Sequence, residues 1–287
     1  MSEITRVGAA GCGLMGSGIA EVCARAGADV VVREADDDLL RAGRTRVEQS
    51  LGRAVRAGKL SEDEREAAAA RLRFSTGWED MADRQLVVEA VTEDTEAKVA
   101  VFRQLDRRVA ASDSVLASNT SSIPIMKLAM ATGRPEQVIG IHFFNPVPVL
   151  RLVELVTSLL TSDDTAERAE AFVTKGLGKL VIRSQDRAGF VVNAMLIPYL
   201  LSAVRMFESG FASREDIDTG MVEGCAHPMG PLALADLIGL DTTQAVAQSL
   251  YEEFKEPLYA PPPLLSRMVE ANLLGRKTGR GFYDYSR

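Results

Sequence analysis

The sequence predicts an α/β architecture, a doubly wound and mainly parallel sheet followed by an all-helical C-terminal domain. Two observations carry that prediction. Up to about residue 185, short runs rich in β-branched residues alternate with longer stretches of helical periodicity, the pattern of repeated βαβ units. From residue 189 onward helical spacing continues and strand-like alternation stops. A chain of 287 residues suits two domains at ~100–200 residues each, divided here as 1–185 and 186–287.

Taken in order, strands are expected at 6–10, 30–34, 86–89, 115–118 and 138–142, with 152–156 and 180–183 extending the sheet. A charged helical stretch, 37–73, lies between the second and third of these and is divided by Gly58 and the helix start Ser61-Glu62-Asp63-Glu64. It exceeds the length of a simple crossover and reads as a helical hairpin insertion. Past a boundary near 184–189, residues 189–208 are apolar at helical spacing, 213–222 open on a capping-type Ser213-Arg214-Glu215-Asp216, and 232–254 repeat the helical pattern. An exposed apolar helix in a domain of this kind commonly meets a second subunit, so a homodimer is expected.

Composition narrows the function. The apolar fraction of 46% with 25% charged residues is that of a globular protein able to bury sizeable cores. Cys12, Cys23 and Cys225 are odd in number and lack metal-ligand spacing, so no disulfide framework or metal site is expected and a reducing, cytoplasmic setting fits. The start has no basic leader followed by an apolar run, and no apolar stretch approaches ~18 residues, so neither secretion nor a membrane span is expected. A net charge of −7 argues against nucleic acid as a partner. Any chemistry needing an imidazole has two candidates, His142 and His227.

The first strand runs into Gly11-Cys12-Gly13-Leu14-Met15-Gly16, followed by a helical 17–26. In such a GxGxxG the first glycine permits the tight turn, the second lets backbone approach a diphosphate, and the third lets helix pack on strand. The helix N-terminus then offers N–H groups and its dipole to the anion. A second strand ends in Glu34, eighteen residues after Gly16, close to the spacing of a ribose ligand in a Rossmann-type dinucleotide site. A carboxylate there accepts from ribose hydroxyls and repels a 2′-phosphate, which favours NAD over NADP. Its neighbour Arg33 is also placed to take such a phosphate.

The segment from Gly140 to Glu154 holds an apolar strand with His142, a turn with Pro146 and Pro148, and a second apolar strand ending in Glu154. If the chain reverses about Pro148, residues 142 and 154 are equidistant from the pivot and face each other across an antiparallel pair. A buried carboxylate opposite one imidazole nitrogen fixes the tautomer and stabilises the imidazolium. Oxidation of an alcohol by hydride transfer needs such a base, because the hydroxyl proton must leave as the hydride does. His227 precedes Pro228 in what reads as a turn between helices and is given a structural role.

Four stretches together identify a resemblance. They are Ser118-Asn119-Thr120-Ser121-Ser122, His142-Phe143-Phe144-Asn145-Pro146, Gly189-Phe190-Val191-Val192-Asn193 and Lys277-Thr278-Gly279-Arg280-Gly281-Phe282-Tyr283. In order and spacing the chain resembles the L-3-hydroxyacyl-CoA dehydrogenase family, closest to its short bacterial 3-hydroxybutyryl-CoA branch. The resemblance implies NAD as cofactor, an acyl-CoA substrate, His142 as general base and Glu154 as its partner. It further implies that Ser121 and Asn193 hydrogen-bond the reacting oxygen, that Glu93, Lys98, Asn145 and Lys277 contact the cofactor, and that Ser50 contacts coenzyme A, with Arg53, Arg56 and Lys59 near its phosphates. The residues also admit plainer roles: Ser121 and Ser122 as caps before Pro124, and the basic residues at 53–59 as a solvated helix face.

Two departures stand out. Where the family often has Pro-Gly-Phe and Asn-Arg, this chain has Ala188-Gly189-Phe190 and Asn193-Ala194. Loss of the proline is expected to loosen the segment between the domains, and loss of the arginine removes either a salt bridge or a charge on the substrate side. A hydroxyacyl group on a carrier protein, a free hydroxy acid, or a dinucleotide-binding protein without turnover are the competing readings.

Overall fold

The structure, a computed structural model, describes residues 3–111 and 113–286. Met1 and Ser2, at the start where no leader is expected, lie outside them. The chain divides into two compact units, Met1–Asp186 and Arg187–Arg287.

The first unit is built from β1 (Arg6–Ala10), α1 (Leu14–Arg25), β2 (Asp29–Arg33), α2 (Asp37–Arg56), α3 (Glu62–Ala70), β3 (Leu72–Ser75), β4 (Leu86–Glu89), α4 (Thr95–Arg108), β5 (Val115–Ser118), α5 (Ile125–Ala129), β6 (Val138–Phe143), β7 (Leu152–Thr157), α6 (Asp163–Ala171) and β8 (Leu180–Gln185). Its eight strands form one sheet in the order β3-β2-β1-β4-β5-β6-β7-β8. Strands β1 to β6 are parallel, β7 pairs antiparallel with β6, and β8 runs parallel to β7. The central strands are buried along their length, as a parallel sheet covered by helices on both faces requires. Valines and isoleucines of this kind each contribute ~1.5–3 kcal/mol when buried.

β3 is absent from the expected strands. Its Leu-Arg-Phe-Ser run is short and only half-buried at the sheet edge, and it follows the alanine-rich α3, so helical periodicity runs straight into it. Its presence also places the charged stretch. α2 and α3 form the expected helical hairpin, which lies in the connection between adjacent parallel strands β2 and β3. α2 ends ahead of Gly58 at φ 65°, and Ser61 then starts α3 in a reciprocal capping box with Glu64.

The second unit is helical: α7 (Val192–Glu208), α8 (Arg214–Cys225), α9 (Pro231–Ile238), α10 (Leu240–Phe254) and α11 (Pro263–Glu270). The pattern expected as one helix over 232–254 is two, because Gly239 at φ 104° takes the chain out of helical space between α9 and α10. Leu200, Leu201, Val204, Leu232, Ala247 and Leu250 lie in its core. Buried Asp236 on α9 accepts from the Phe282 and Tyr283 backbone N–H groups and from the Tyr285 hydroxyl, tying the C-terminal motif to this core. Burial pushes its carboxyl above the ordinary value, against the lowering effect of those three donors.

The segment opening this unit is anchored rather than slack. The Ala188 N–H donates to both carboxylate oxygens of Glu253 on α10, at 3.3 and 3.2 Å, and the Arg187 guanidinium lies over the Phe254 ring. A proline at position 188 has no N–H to offer.

Candidate active site

The glycine-rich loop lies between β1 and α1. Gly11 has φ 98°, and a Cβ on Gly16 would collide with the Gly11 carbonyl oxygen, so both positions need glycine. A Cβ on Gly13 would meet nothing within 4 Å, leaving that backbone open to an incoming group. α1 begins at Leu14 and Met15 with no side chain capping its N-terminus and no acidic residue in its first turn, so an anion can take the cap's place. The Cys12 N–H donates to Glu34 Oε1 at 2.5 Å and Arg46 Nη1 donates to the Cys12 carbonyl, fixing the loop from both sides. These residues fit a dinucleotide: the loop would hold the diphosphate, and Glu34, just past β2, the ribose.

The β6–β7 hairpin has the register expected from its symmetry. His142 pairs with Glu154, and Nδ1 stands 2.7 Å from the Glu154 carboxylate, which is fully buried. Phe144 packs edge-on to the imidazole at 4.6 Å. Just past β5, the Asn119 side-chain oxygen Oδ1 accepts from the Phe143 N–H at 2.9 Å and so ties the loop after β5 to the strand end that carries His142.

Lys179 holds the hairpin turn. Its buried ammonium donates to the Val147 and Leu150 carbonyls at 2.8 and 2.7 Å, and burial lowers it below the ordinary lysine value. Hydrogen bonds from a charged donor contribute ~1.5–3 kcal/mol, so Lys179→Met should lower unfolding free energy by about that amount in a denaturant titration. A midpoint equal to wild type would show that the turn does not depend on this clamp.

A second buried network fixes the loop bearing Ser121. Glu89, at the end of β4, accepts from Lys98 Nζ at 2.7 Å and from the Ser118 hydroxyl at 2.7 Å. Lys98 is 1% exposed and also pairs with Glu93 at 3.2 Å. Glu93 in turn accepts from Thr120 Oγ1, the Ser121 N–H and Ser122 Oγ at 2.5, 3.0 and 3.0 Å. Burial raises the Glu93 carboxyl, but Lys98, the Thr120 hydroxyl and the Ser121 N–H outweigh it and hold it below the usual carboxylate range. The structure therefore places Lys98 inside the protein as Glu93's support. Asp186 caps the helix following this loop through the Ile125 and Met126 N–H groups.

Ser50 and Arg53 on α2 line a groove of about 150 Å³ together with Arg46, Leu14, Asn145 and Pro146. Arg56 and Lys59 are exposed and are not among its lining residues. In the second unit Asn193 lies in the first turn of α7, and Lys277 is ion-paired with Asp241 on α10. His227 Nδ1 is 3.0 Å from the hydroxyl of Tyr199 on α7, a hydrogen bond that ties the turn after α8 to that helix. Sequence reasoning passed over Asn119, Glu89 and Lys179. The signals present were a carboxylate closing an all-apolar strand and a lysine after Gly178 at the head of another.

Among the described residues, no group of three or more His, Cys, Asp or Glu side chains is placed to hold a metal ion, and no helix is long and apolar enough to cross a membrane. The three cysteines are unpaired, with Cys12 and Cys23 buried and Cys225 exposed.

A Rossmann-type domain carrying a dinucleotide loop and a buried His–Glu pair is the framework of a dehydrogenase. Residues 6–187 match the NAD binding domain of 3-hydroxyacyl-CoA dehydrogenase, and residues 189–285 match the C-terminal domain of the same family. A 3-hydroxybutyryl-CoA dehydrogenase of Mycobacterium tuberculosis is 60% identical over 282 residues, covering 98% of this chain and 99% of that one. The crystal structure of M. tuberculosis FadB2 superposes with a TM-score of 0.98 at 60% identity, over 99% of this chain and 100% of that one. That of (S)-3-hydroxybutyryl-CoA dehydrogenase PaaH1 from Ralstonia eutropha gives 0.93 at 47% identity, over 99% and 100%. The chain belongs to the 3-hydroxyacyl-CoA dehydrogenase family and is an NAD-dependent oxidoreductase.

Proposed function

We propose that this chain interconverts (3S)-3-hydroxybutyryl-CoA and acetoacetyl-CoA, with His142 as the base that exchanges the hydroxyl proton. The observation carrying this reading is the 2.7 Å contact of His142 Nδ1 with buried Glu154. Glu154 accepts from Nδ1–H, which assigns proton exchange to Nε2 and stabilises the imidazolium once the proton has moved. NAD, when bound, supplies the hydride acceptor for substrate C3. The same protein groups serve oxidation and reduction.

Ser121 and Asn193 are assigned to hydrogen-bond the reacting oxygen and favour charge developing there. On the cofactor side, Gly11, Gly13, Leu14, Met15 and Gly16 are assigned to the diphosphate, Glu34 to the ribose, and Glu93, Asn145 and Lys277 to further contacts. Lys98 acts through Glu93. Ser50 and Arg53 in the groove beside Asn145 suit the anionic coenzyme A portion, with Arg56 at the end of α2 and Lys59 just past it as longer-range attraction. Exposed Met195 and Phe211 in the second unit, 74% and 79% accessible, support self-association as a homodimer. The unpaired cysteines suit a cytoplasmic setting.

The test is NADH consumption with acetoacetyl-CoA, repeated with NADPH and with free acetoacetate. Turnover of the thioester with a clear preference for NADH is expected. Equal turnover of free acetoacetate would remove coenzyme A from the reading, and no turnover of either would remove the substrate class.

A further inference from the structure

A second determinant of cofactor choice lies beside Glu34. Three arginines lie on β2 and on α2, which follows it, and each is engaged within the protein. Arg33 Nε donates to the Thr76 carbonyl at 3.2 Å, and its guanidinium carbon lies 4.1 Å from the centroid of the Trp78 ring. Arg44 lies over Phe74 of β3 at 4.6 Å, and Arg46 donates to the Cys12 carbonyl. Arg33 is the one adjacent in sequence to Glu34, at the carboxyl end of β2. Since β1, β2 and β3 are parallel, Trp78 in the loop after β3 emerges at the same edge of the sheet.

From this the geometry points to Trp78 as a specificity-determining residue: it stacks on Arg33 and withholds from an incoming 2′-phosphate the cation adjacent to Glu34. The inference rests on the reading of Glu34 as the ribose-side carboxylate and adds a separate element to it. Glu34 discriminates by repulsion, since its carboxylate meets a phosphate dianion at short range. Trp78 discriminates by denial, since the guanidinium that would bind that phosphate in a charge-assisted, forked arrangement is parked. Arg33 reaches a phosphate only by giving up both the indole face and the Thr76 carbonyl. Those two contacts together set a penalty of roughly tenfold or more in equilibrium terms.

The readout is the ratio of dissociation constants for NADPH and NADH, followed by the fluorescence of the bound reduced nicotinamide, in wild type, Trp78→Leu, Arg33→Ala, the double variant of these two, Glu34→Ser, and Glu34→Ser/Trp78→Leu. Adenosine 2′,5′-bisphosphate against AMP, by calorimetry, repeats the comparison at the adenosine end alone. Trp78→Leu is expected to shift the ratio towards NADPH by about tenfold, each tenfold being ~1.4 kcal/mol. The shift should vanish in the Arg33→Ala background and grow when Glu34 is also replaced. A ratio within about twofold of wild type in Trp78→Leu overturns the proposal, as does an equal shift with and without Arg33. If Glu34→Ser alone leaves the ratio unchanged, the ribose assignment fails instead, and the Arg33-dependent effect of Trp78 is read independently of it.

Discussion

His142→Gln is expected to lower kcat for acetoacetyl-CoA reduction by about 10²–10⁴, the usual contribution of a positioned general acid or base. Glutamine is the informative replacement. Its amide can still donate to the Glu154 carboxylate, so the buried charge keeps a partner and the hairpin keeps its register, while no atom at that position can take up and release a proton near neutral pH. NADH affinity and thermal midpoint should therefore stay near wild type while kcat falls, a separation that distinguishes lost proton transfer from lost folding. A kcat within about tenfold of wild type would sink the assignment of His142 as the base.

Lys98→Met should cost the folded state about 3–5 kcal/mol, because it leaves the Glu89 carboxylate buried without its cation. Guanidinium denaturation measures this directly. A loss below about 1 kcal/mol would mean that water or Ser118 already satisfies Glu89. The companion variant Glu89→Gln/Lys98→Met removes both charges and should recover part of the loss, since the two positions share one network. The pH dependence follows with a definite sign. Glu93 is held below the ordinary carboxylate value, so its contribution is present above its unfolded pKa and is lost as pH falls through the depressed folded value. Without Lys98 the folded value rises, and the acid limb of the stability profile should move to higher pH.

Local signals make much of this molecule legible in its sequence. The turn at Gly11 and the close approach at Gly16 are demands of backbone geometry on single residues, and a strand on one side with a helix on the other confirms their context. The His142–Glu154 contact was legible for a different reason: a hairpin pivoting at Pro148 makes register a matter of counting. What escaped depends on topology. The resemblance assigns Lys98 to the cofactor, but its bond to Glu89, which Ser118 shares, becomes visible only once β4 is paired with β5. Lys179 is likewise meaningless until β8 is laid beside β7, which brings it under the turn. β3 and the break at Gly239 failed at the level of periodicity, since a short, half-exposed strand after an alanine run and a single glycine within an apolar pattern both leave the helical spacing undisturbed.

The bond between the Ala188 N–H and Glu253 has a consequence for comparing sequences across the family. A chain with proline at position 188 has no donor there, so nothing of this kind constrains position 253 on α10. A chain without that proline gains from an acceptor at 253 to hold the start of the unit. Residues 188 and 253 should thus covary, non-proline with Glu, Asp, Gln or Asn, and proline with any exposed residue. An alignment in which the two positions vary independently would show that the bond is incidental to this chain.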